Sequence, residues 1–393
     1  MESMPLRSIE LFAGAGGLAL GLHASGFQNV ALAEWNRDAC DTLRRNVKAG
    51  SVPGINTWRV IEGDVRDITY GEIPAVDVVA GGPPCQPFSI GGKHKGASDS
   101  RDMFPEAVRC VREMRPRAFV FENVNGLTRE SFRNYFNYIL LRLTYPEIVI
   151  RDEESWNSHL DRLEDHHTSG RRDGLTYHVV SRVLNSADYG VPQVRKRVFI
   201  VGFRADVATD WHFPEATHSQ EALLFDQWVD GTYWDRHGVK RPDGPPKRLA
   251  KRVARLEKSG DAPDSLPWLT IRDAIKGMPA PYRSGRGARF ANHRFQPGAR
   301  TYVGHTGSPL DSPSKTLKAG DHGVPGGENM IVFPDGKVRY LTVREAARVQ
   351  TFPDEWLFEG AWSEAMRQIG NAAPCKLSEA VAAAVGDRLR WRT

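Results

Sequence analysis

Ser8-Ile9-Glu10-Leu11-Phe12-Ala13-Gly14-Ala15-Gly16-Gly17-Leu18 reads as a short apolar strand that runs into a glycine-rich turn and then into helical spacing. Glycines let the backbone turn sharply and come close to a ligand, and a helix N-terminus offers unpaired backbone donors. Further strand-like runs follow at Val30–Glu34, Trp58–Glu62, Val76–Ala80 and Ala118–Glu122. Between them, Leu18–Ala24, Ala39–Val47 and Pro105–Met114 have helical spacing and good helix formers. Strands alternating with helices predict an α/β fold built on a doubly wound, mostly parallel sheet.

Sheets of this kind bind ligands beyond the carboxyl ends of their strands. Gly14, Gly16 and Gly17 follow the first strand, and Glu34 ends the second, 20 residues after Gly14. That spacing suits a carboxylate on ribose hydroxyls. Asp64, after the third strand, is placed to accept from an adenine amine. Each residue alone is an ordinary turn or capping residue. Together they point to an adenosine-containing ligand, without separating a dinucleotide from S-adenosylmethionine.

The fourth strand ends in Gly81-Gly82-Pro83-Pro84-Cys85-Gln86-Pro87-Phe88-Ser89. A lone cysteine is ordinarily a small buried hydrophobe, the reading given to Cys40 and Cys110. Cys85 differs because prolines fix the backbone around it and it lies on the ligand-binding edge. A thiolate there is a candidate nucleophile. Glu122, ending the fifth strand in Glu122-Asn123-Val124, brings a carboxyl group to the same edge as a candidate acid/base partner.

Two more strand-like runs, Tyr177–Leu184 and Arg197–Phe203, flank a segment with Gly190, Pro192 and the basic pair Arg195-Lys196. Beyond Phe203 the chain becomes rich in Gly, Pro, Arg and Trp with little sustained periodicity, which predicts a separate loop-heavy domain. Helical patterns return at Thr342–Gln350 and Leu377–Leu389, the last apolar on nearly every side, as a helix packed back on the first domain would be. The expected division is 1–204, 205–335 and a return segment 336–393.

At 393 residues the chain suits two or three compact units, at roughly one per 150 residues. The formal charge is +5, yet 236–300 holds 16 Lys/Arg against 5 Asp/Glu, leaving about −6 elsewhere. A basic stretch interleaved with aromatic residues fits nucleic acid, and a solvated face gives similar counts. No apolar run approaches the roughly 18 residues of a membrane span, and no secretory leader is evident. Four cysteines without C-x-x-C spacing predict reduced thiols, no zinc site and a cytoplasmic setting. His159, His166 and His167 fall in the charged stretch 153–172, expected to be a solvated surface segment.

Six blocks in order then carry a resemblance. Phe12–Gly17, Pro83–Gln86, Glu122–Val124, Gln193-Val194-Arg195-Lys196-Arg197, Arg344–Pro353 and Gln368–Pro374 resemble the ordered motifs of the cytosine-5 DNA methyltransferases of bacterial restriction–modification systems. The resemblance implies a class I S-adenosylmethionine-dependent, Rossmann-like catalytic fold, with a target-recognition domain in the unmatched stretch from Phe203 to about Asp335. It implies S-adenosylmethionine as methyl donor and S-adenosylhomocysteine as product. Phe12 would stack on the adenine, Glu34 would hold the ribose, Asp64 with Val65 would meet the adenine edge, and Trp35 would also line the cofactor site. Gly14, Gly16, Gly17, Gly82, Pro83, Asn371 and Ala372 would complete the pocket. Cys85 would attack a flipped-out cytosine, Glu122 would donate to its ring nitrogen, and Arg195 and Arg197 would hold the base or its phosphate.

The implied partner is double-stranded DNA, with a restriction endonuclease paired in function but not in contact. The protein is expected to act as a monomer at the bacterial nucleoid, and no metal is expected. Phe88–Met103 is expected to form a loop able to close over the flipped nucleotide. Two features depart from the family. Cys375 stands where a second proline is common, and about Arg151 to Gly174 looks like an insertion. A nicotinamide-dependent oxidoreductase would share the glycine turn but leaves the later blocks unexplained. A transfer-RNA cytosine methyltransferase would share fold and thiol, and the long recognition region favours duplex DNA over it.

Overall fold

The computed structural model describes residues 5–84, 102–170, 173–283, 290–303, 306–319 and 329–390. Seven strands form one sheet in the order β3-β2-β1-β4-β5-β7-β6. They are β1 (Leu6–Leu11), β2 (Phe27–Glu34), β3 (Val60–Glu62), β4 (Val78–Gly81), β5 (Ala118–Val124), β6 (Tyr177–Asn185) and β7 (Lys196–Arg204). The pairs β1–β2, β2–β3, β1–β4 and β4–β5 are parallel, whereas β5–β7 is antiparallel. Central parallel strands are covered on both faces, which is why they read as continuous apolar runs. Ile9, Leu11, Leu32, Val78, Val79, Phe119 and Phe121 are all fully buried.

Helices α1 (Gly17–Ala24), α2 (Arg37–Ala49) and α3 (Phe104–Met114) lie between the parallel strands, with α4 (Arg133–Thr144) and α5 (Trp156–Thr168) after β5. Strand order reverses between β1 and β4, because β2 and β3 lie to one side of β1 and β4 and β5 to the other. The crevice of a doubly wound sheet opens at such a reversal. Here it is bordered by the turn after β1 and by Gly82-Pro83-Pro84 after β4.

The chain divides into two compact units. One comprises Met1–Leu184, Lys196–Pro214 and Phe352–Thr393, the other Asn185–Arg195 and Glu215–Thr351. In the first unit the C-terminal helix Cys375–Arg390 packs on α1 so closely that a Cβ at Gly21 would lie 2.4 Å from that of Ser378.

These bounds differ from the expected 204/205 and 335/336. The segment 185–195 belongs to the second unit because its backbone bonds there, with Thr217 N–H donating to Asp188 O at 3.0 Å and Val194 N–H to Ser314 O at 2.8 Å. Helix Val343–Val349 belongs there too, with Arg344 N–H donating to Asn292 O at 3.0 Å. The second unit also has more regular structure than its sequence suggested. It contains the amphipathic helix Ala250–Ser259, whose Val253 and Leu256 join Leu223, Leu224, Trp228, Tyr233 and Trp234 in an apolar core.

The charged stretch 153–172, expected to be a solvated surface segment, holds α5, and that helix buries an inner face on α4. Leu163 and His159 are fully buried, and Trp156 packs edge-on to Tyr135 with centroids 6.0 Å apart. The His159 ring bridges Tyr138 Oη at 2.8 Å and Ile148 O at 2.9 Å. A carbonyl can only accept, so Nε2 carries the proton and Nδ1 accepts from Tyr138. Burial pulls the imidazole below its ordinary pKa, consistent with a neutral ring.

Among the described residues, no helix is long and apolar enough to cross a membrane.

Candidate active site

The turn after β1 is tied to the end of β2 through one carboxylate. Gly14 N–H donates to Glu34 Oε2 at 2.7 Å, while Trp35 and Asn36 N–H donate to Oε1 at 3.0 and 2.8 Å. Ala13 N–H also reaches Ala33 O at 3.0 Å. This backbone needs left-handed geometry at Phe12 (φ 57°), Gly14 (φ 52°) and Gly16 (φ 87°), a strained region for phenylalanine. A Cβ at Gly14 would meet nothing within 4 Å, so the turn is open on that side. At Gly17 it would fall 2.2 Å from Ala373 O, so close packing requires glycine there.

The remaining expected cofactor residues occupy the same unit. Trp35 is 76% exposed, an indole face presented to solvent beside Glu34. Asp64 accepts from Arg66 N–H and Nε at 2.9 Å each, and these bonds hold its carboxyl below the usual range. Val65 is buried. Asn371 ends helix Trp362–Asn371 with an exposed side chain, and Ala372 is buried, its N–H on Gln368 O at 3.1 Å.

Sequence reasoning missed Glu10, whose position inside β1 gave no signal beyond a charge within an apolar run. It is buried just before the turn, and burial, with the nearby Glu34 charge adding to it, pushes its carboxyl well above the ordinary value. Among the described residues Glu10 Oε2 has no hydrogen-bond partner.

Cys85 lies outside the described residues, as does most of the segment Phe88–Met103 expected to form a loop. The backbone leading to Cys85 is described. Asn123 Nδ2 donates to Pro83 O at 2.8 Å while its Oδ1 accepts from Val124 N–H at 2.8 Å. Met103 N–H donates to Pro84 O at 3.2 Å, so the two ends of the segment between them are bonded together. Beside Gly82, at 3.6 Å from a Cβ placed there, lies Glu122 Oε2. Glu122 is buried and its Oε1 pairs with Arg197 Nε at 2.8 Å. Burial lowers the Arg197 pKa, and the Glu122 charge opposes that shift.

Glu122, Arg197, Gly82 and Pro83 are therefore brought together. Arg195 belongs to the second unit, where the residue is 1% exposed and its Nη1 donates to Leu317 O at 3.0 Å.

The sequence profile of the C-5 cytosine-specific DNA methylases matches residues 6–145 and 170–387, omitting the stretch that contains α5. Type II methyltransferase M.NgoMIV of Neisseria gonorrhoeae is 32% identical over 382 residues, covering 96% of each chain. Type II methyltransferase M.Eco47II of Escherichia coli is 33% identical over 392 residues, covering 96% of this chain and 78% of its own. Among solved structures, the S. pombe Dnmt2 methyltransferase aligns over 98% of this chain and 100% of its own with a TM-score of 0.55 at 16% identity. The Entamoeba histolytica methyltransferase EhMeth aligns over 98% of both chains with a TM-score of 0.53 at 14% identity. The two structures share the fold, and the profile spans most of the sequence: this chain belongs to the C-5 cytosine-specific DNA methylase family.

Proposed function

We propose that this protein transfers a methyl group from S-adenosylmethionine to carbon 5 of a cytosine flipped out of a specific duplex DNA sequence, with Cys85 as nucleophile. The observation that carries the reading is the juxtaposition of Gly82-Pro83, leading to Cys85, with the buried Glu122–Arg197 pair at the reversal point of the sheet.

The crevice residues fit the cofactor. An open glycine turn, the Glu34 carboxylate, the exposed Trp35 ring and the unpartnered Glu10 oxygen offer, in that order, space, a ribose acceptor, a stacking surface and an acceptor for an ammonium group. Phe12, Gly16, Gly17, Asp64, Val65, Asn371 and Ala372 would complete its pocket. The bound cofactor supplies an electrophilic methyl group.

Carbon 5 of cytosine is a weak nucleophile while the ring stays aromatic. Attack of the Cys85 thiolate on carbon 6 breaks that aromaticity and moves electron density to carbon 5, splitting one hard step into easier ones. Glu122 shares a proton with the ring nitrogen as charge develops, and Arg197 holds the carboxyl in place. After transfer, loss of the carbon 5 proton and expulsion of the thiolate restore the ring. A stacked base cannot reach these groups, so the nucleotide must rotate out at a cost of a few kcal/mol, met by contacts elsewhere on the DNA. The second unit would supply target recognition, and a functionally paired restriction endonuclease fits the type II relatives.

Tritiated methyl transfer from S-adenosylmethionine to unmethylated duplex DNA, with transfer RNA as a parallel acceptor, tests the reading. Label in DNA at carbon 5 of cytosine is expected. Label confined to transfer RNA, or to neither acceptor, would overturn it.

A further inference from the structure

The charge-rich stretch 236–300 divides into cations that hold the second unit together and cations that do not. Arg236 and Arg272 pair with Asp226 and Asp311. Arg252, in the helix Ala250–Ser259, donates through Nη1 to Gln220 Oε1 at 2.8 Å and pairs with Glu221. That clamp works together with Val253 and Leu256, which are buried in the apolar core of the unit. The helix is thus fixed on its inner side by packing and on one flank by polar contacts.

Its outward side carries a single sign of charge. Lys251, Ala254, Arg255 and Lys258 follow the i, i+3, i+4, i+7 spacing of one helix face, and all four are exposed. The one acid of the helix, Glu257, lies four residues after the buried Val253 and so falls outside that face. Lys247 and Arg248, also exposed, extend the positive charge ahead of the first turn. Arg255 stands within electrostatic reach of Glu221. Among the described residues, the side chains of Lys247, Arg248, Lys251 and Lys258 make no hydrogen bond or ion pair. Like charges at i, i+4 work against a helix, and so does a cation in a first turn that holds no acid. The unit by itself gains nothing from this arrangement, whereas a polyanion laid along the face would turn repulsion into attraction.

We propose that this helix face lies along the sugar–phosphate backbone of duplex DNA, with Lys251, Arg255 and Lys258 as contacts that carry no sequence information. Lys251 and Lys258 stand seven residues apart, about 10 Å along the helix axis, which spans about three nucleotide steps of one strand at about 3.4 Å each. The inference rests on the functional reading above and names one source of the binding energy that offsets base rotation. Contacts of this kind fix register and orientation and leave base reading to other residues.

The double variants K251A/K258A and K251R/K258R decide this, with K337A as a control whose lysine pairs with Asp335 at 2.7 Å. Binding of two fluorescein-labelled duplexes, one AT-rich and one GC-rich, is followed across a salt series. Each lost phosphate contact lowers the magnitude of the slope of log affinity against log salt by about 0.9, so the alanine pair should lose about 1.8 on both duplexes. The wild type's advantage over it should then shrink about tenfold between about 50 and 200 mM salt. The arginine pair and K337A should keep the wild-type slope. Methyl-transfer kinetics should show a raised KM for DNA in the alanine pair, with kcat at saturating DNA unchanged. Its melting temperature should stay level or rise, because alanine is the better helix former and two like charges are gone. Equal slopes for wild type and the alanine pair would overturn the inference, as would a loss confined to one duplex, which would make these lysines base readers. Absence of methyl transfer by the wild type to any duplex would instead sink the functional reading.

Discussion

The two units hold their chains in place by different means. In the first, order comes from parallel strands whose apolar side chains are buried on both faces, and polar side chains matter mainly where the strands end. In the second, side chains of mixed polarity bind loops to one another. Tyr233 Oη lies 2.9 Å from Thr270 Oγ1 and 2.8 Å from Asp311 Oδ1, and Arg272 Nη2 donates to Asp311 Oδ2 at 3.0 Å. Periodic burial makes a platform that tolerates little change at its glycines. Polar cross-bracing holds irregular backbone in shape while leaving the outward residues free to vary.

The largest effect should come from the reacting edge of the first unit. Cys85→Ala is expected to abolish methyl transfer while duplex binding persists, and a 5-fluorocytosine duplex should form a denaturation-resistant complex with wild type only. Persistent turnover in the variant would exclude the covalent route. Glu122→Gln should lower kcat by about 10²–10⁴-fold, the range for a lost acid/base partner. It also leaves Arg197 buried without a carboxylate, so the melting temperature should fall, and a rate unchanged in rapid-quench assays would remove Glu122 from the chemistry.

Packing predictions come next in size. Gly17→Ala forces a methyl onto Ala373 O and should destabilise the first unit by about 1–3 kcal/mol, read in urea unfolding. Tyr233→Phe removes the hydroxyl shared by Thr270 and Asp311, with an expected cost of about 1–3 kcal/mol confined to the second unit. Hydrogen exchange resolved by peptide tells the two apart, and protection lost in both units by either variant would mean that they unfold as one.

The smallest effect concerns Glu10. Its folded pKa is raised, so the folded state binds the proton more tightly and stability falls as pH rises from the unfolded value of 4.5 towards the folded one. Glu10→Gln should therefore raise the melting temperature of the free protein near neutral pH by a few degrees, and the gain should vanish below about pH 4. A gain that persists in acid would show that charge is not its cause.

Much of the first unit was legible because its signals are local. An apolar run ended by Glu34 or Glu122 declares both a strand and the edge it points to, and the glycines after β1 declare the turn. The second unit hid its order. Val253 and Leu256 face inward from a helix whose other residues include Lys251, Arg252, Arg255 and Lys258, so the stretch registered as charge rather than as structure. Arg236, Arg252 and Arg272 swelled that charge count although each pairs with a carboxylate inside the unit. Arg195 and Arg197 stand two apart in one motif, and nothing in that spacing announces that one meets Glu122 and the other a carbonyl in the second unit. His159 was obscured by the acids around it, since a single buried polar bridge leaves no periodic trace.

That bridge limits how the helix could be gained or lost. A chain without α5 would leave the Tyr138 hydroxyl, the Ile148 carbonyl and the faces of Tyr135 and Tyr138 that Trp156 covers opening onto water. Trimming the helix from this protein therefore calls for recutting its neighbour α4 in the same step.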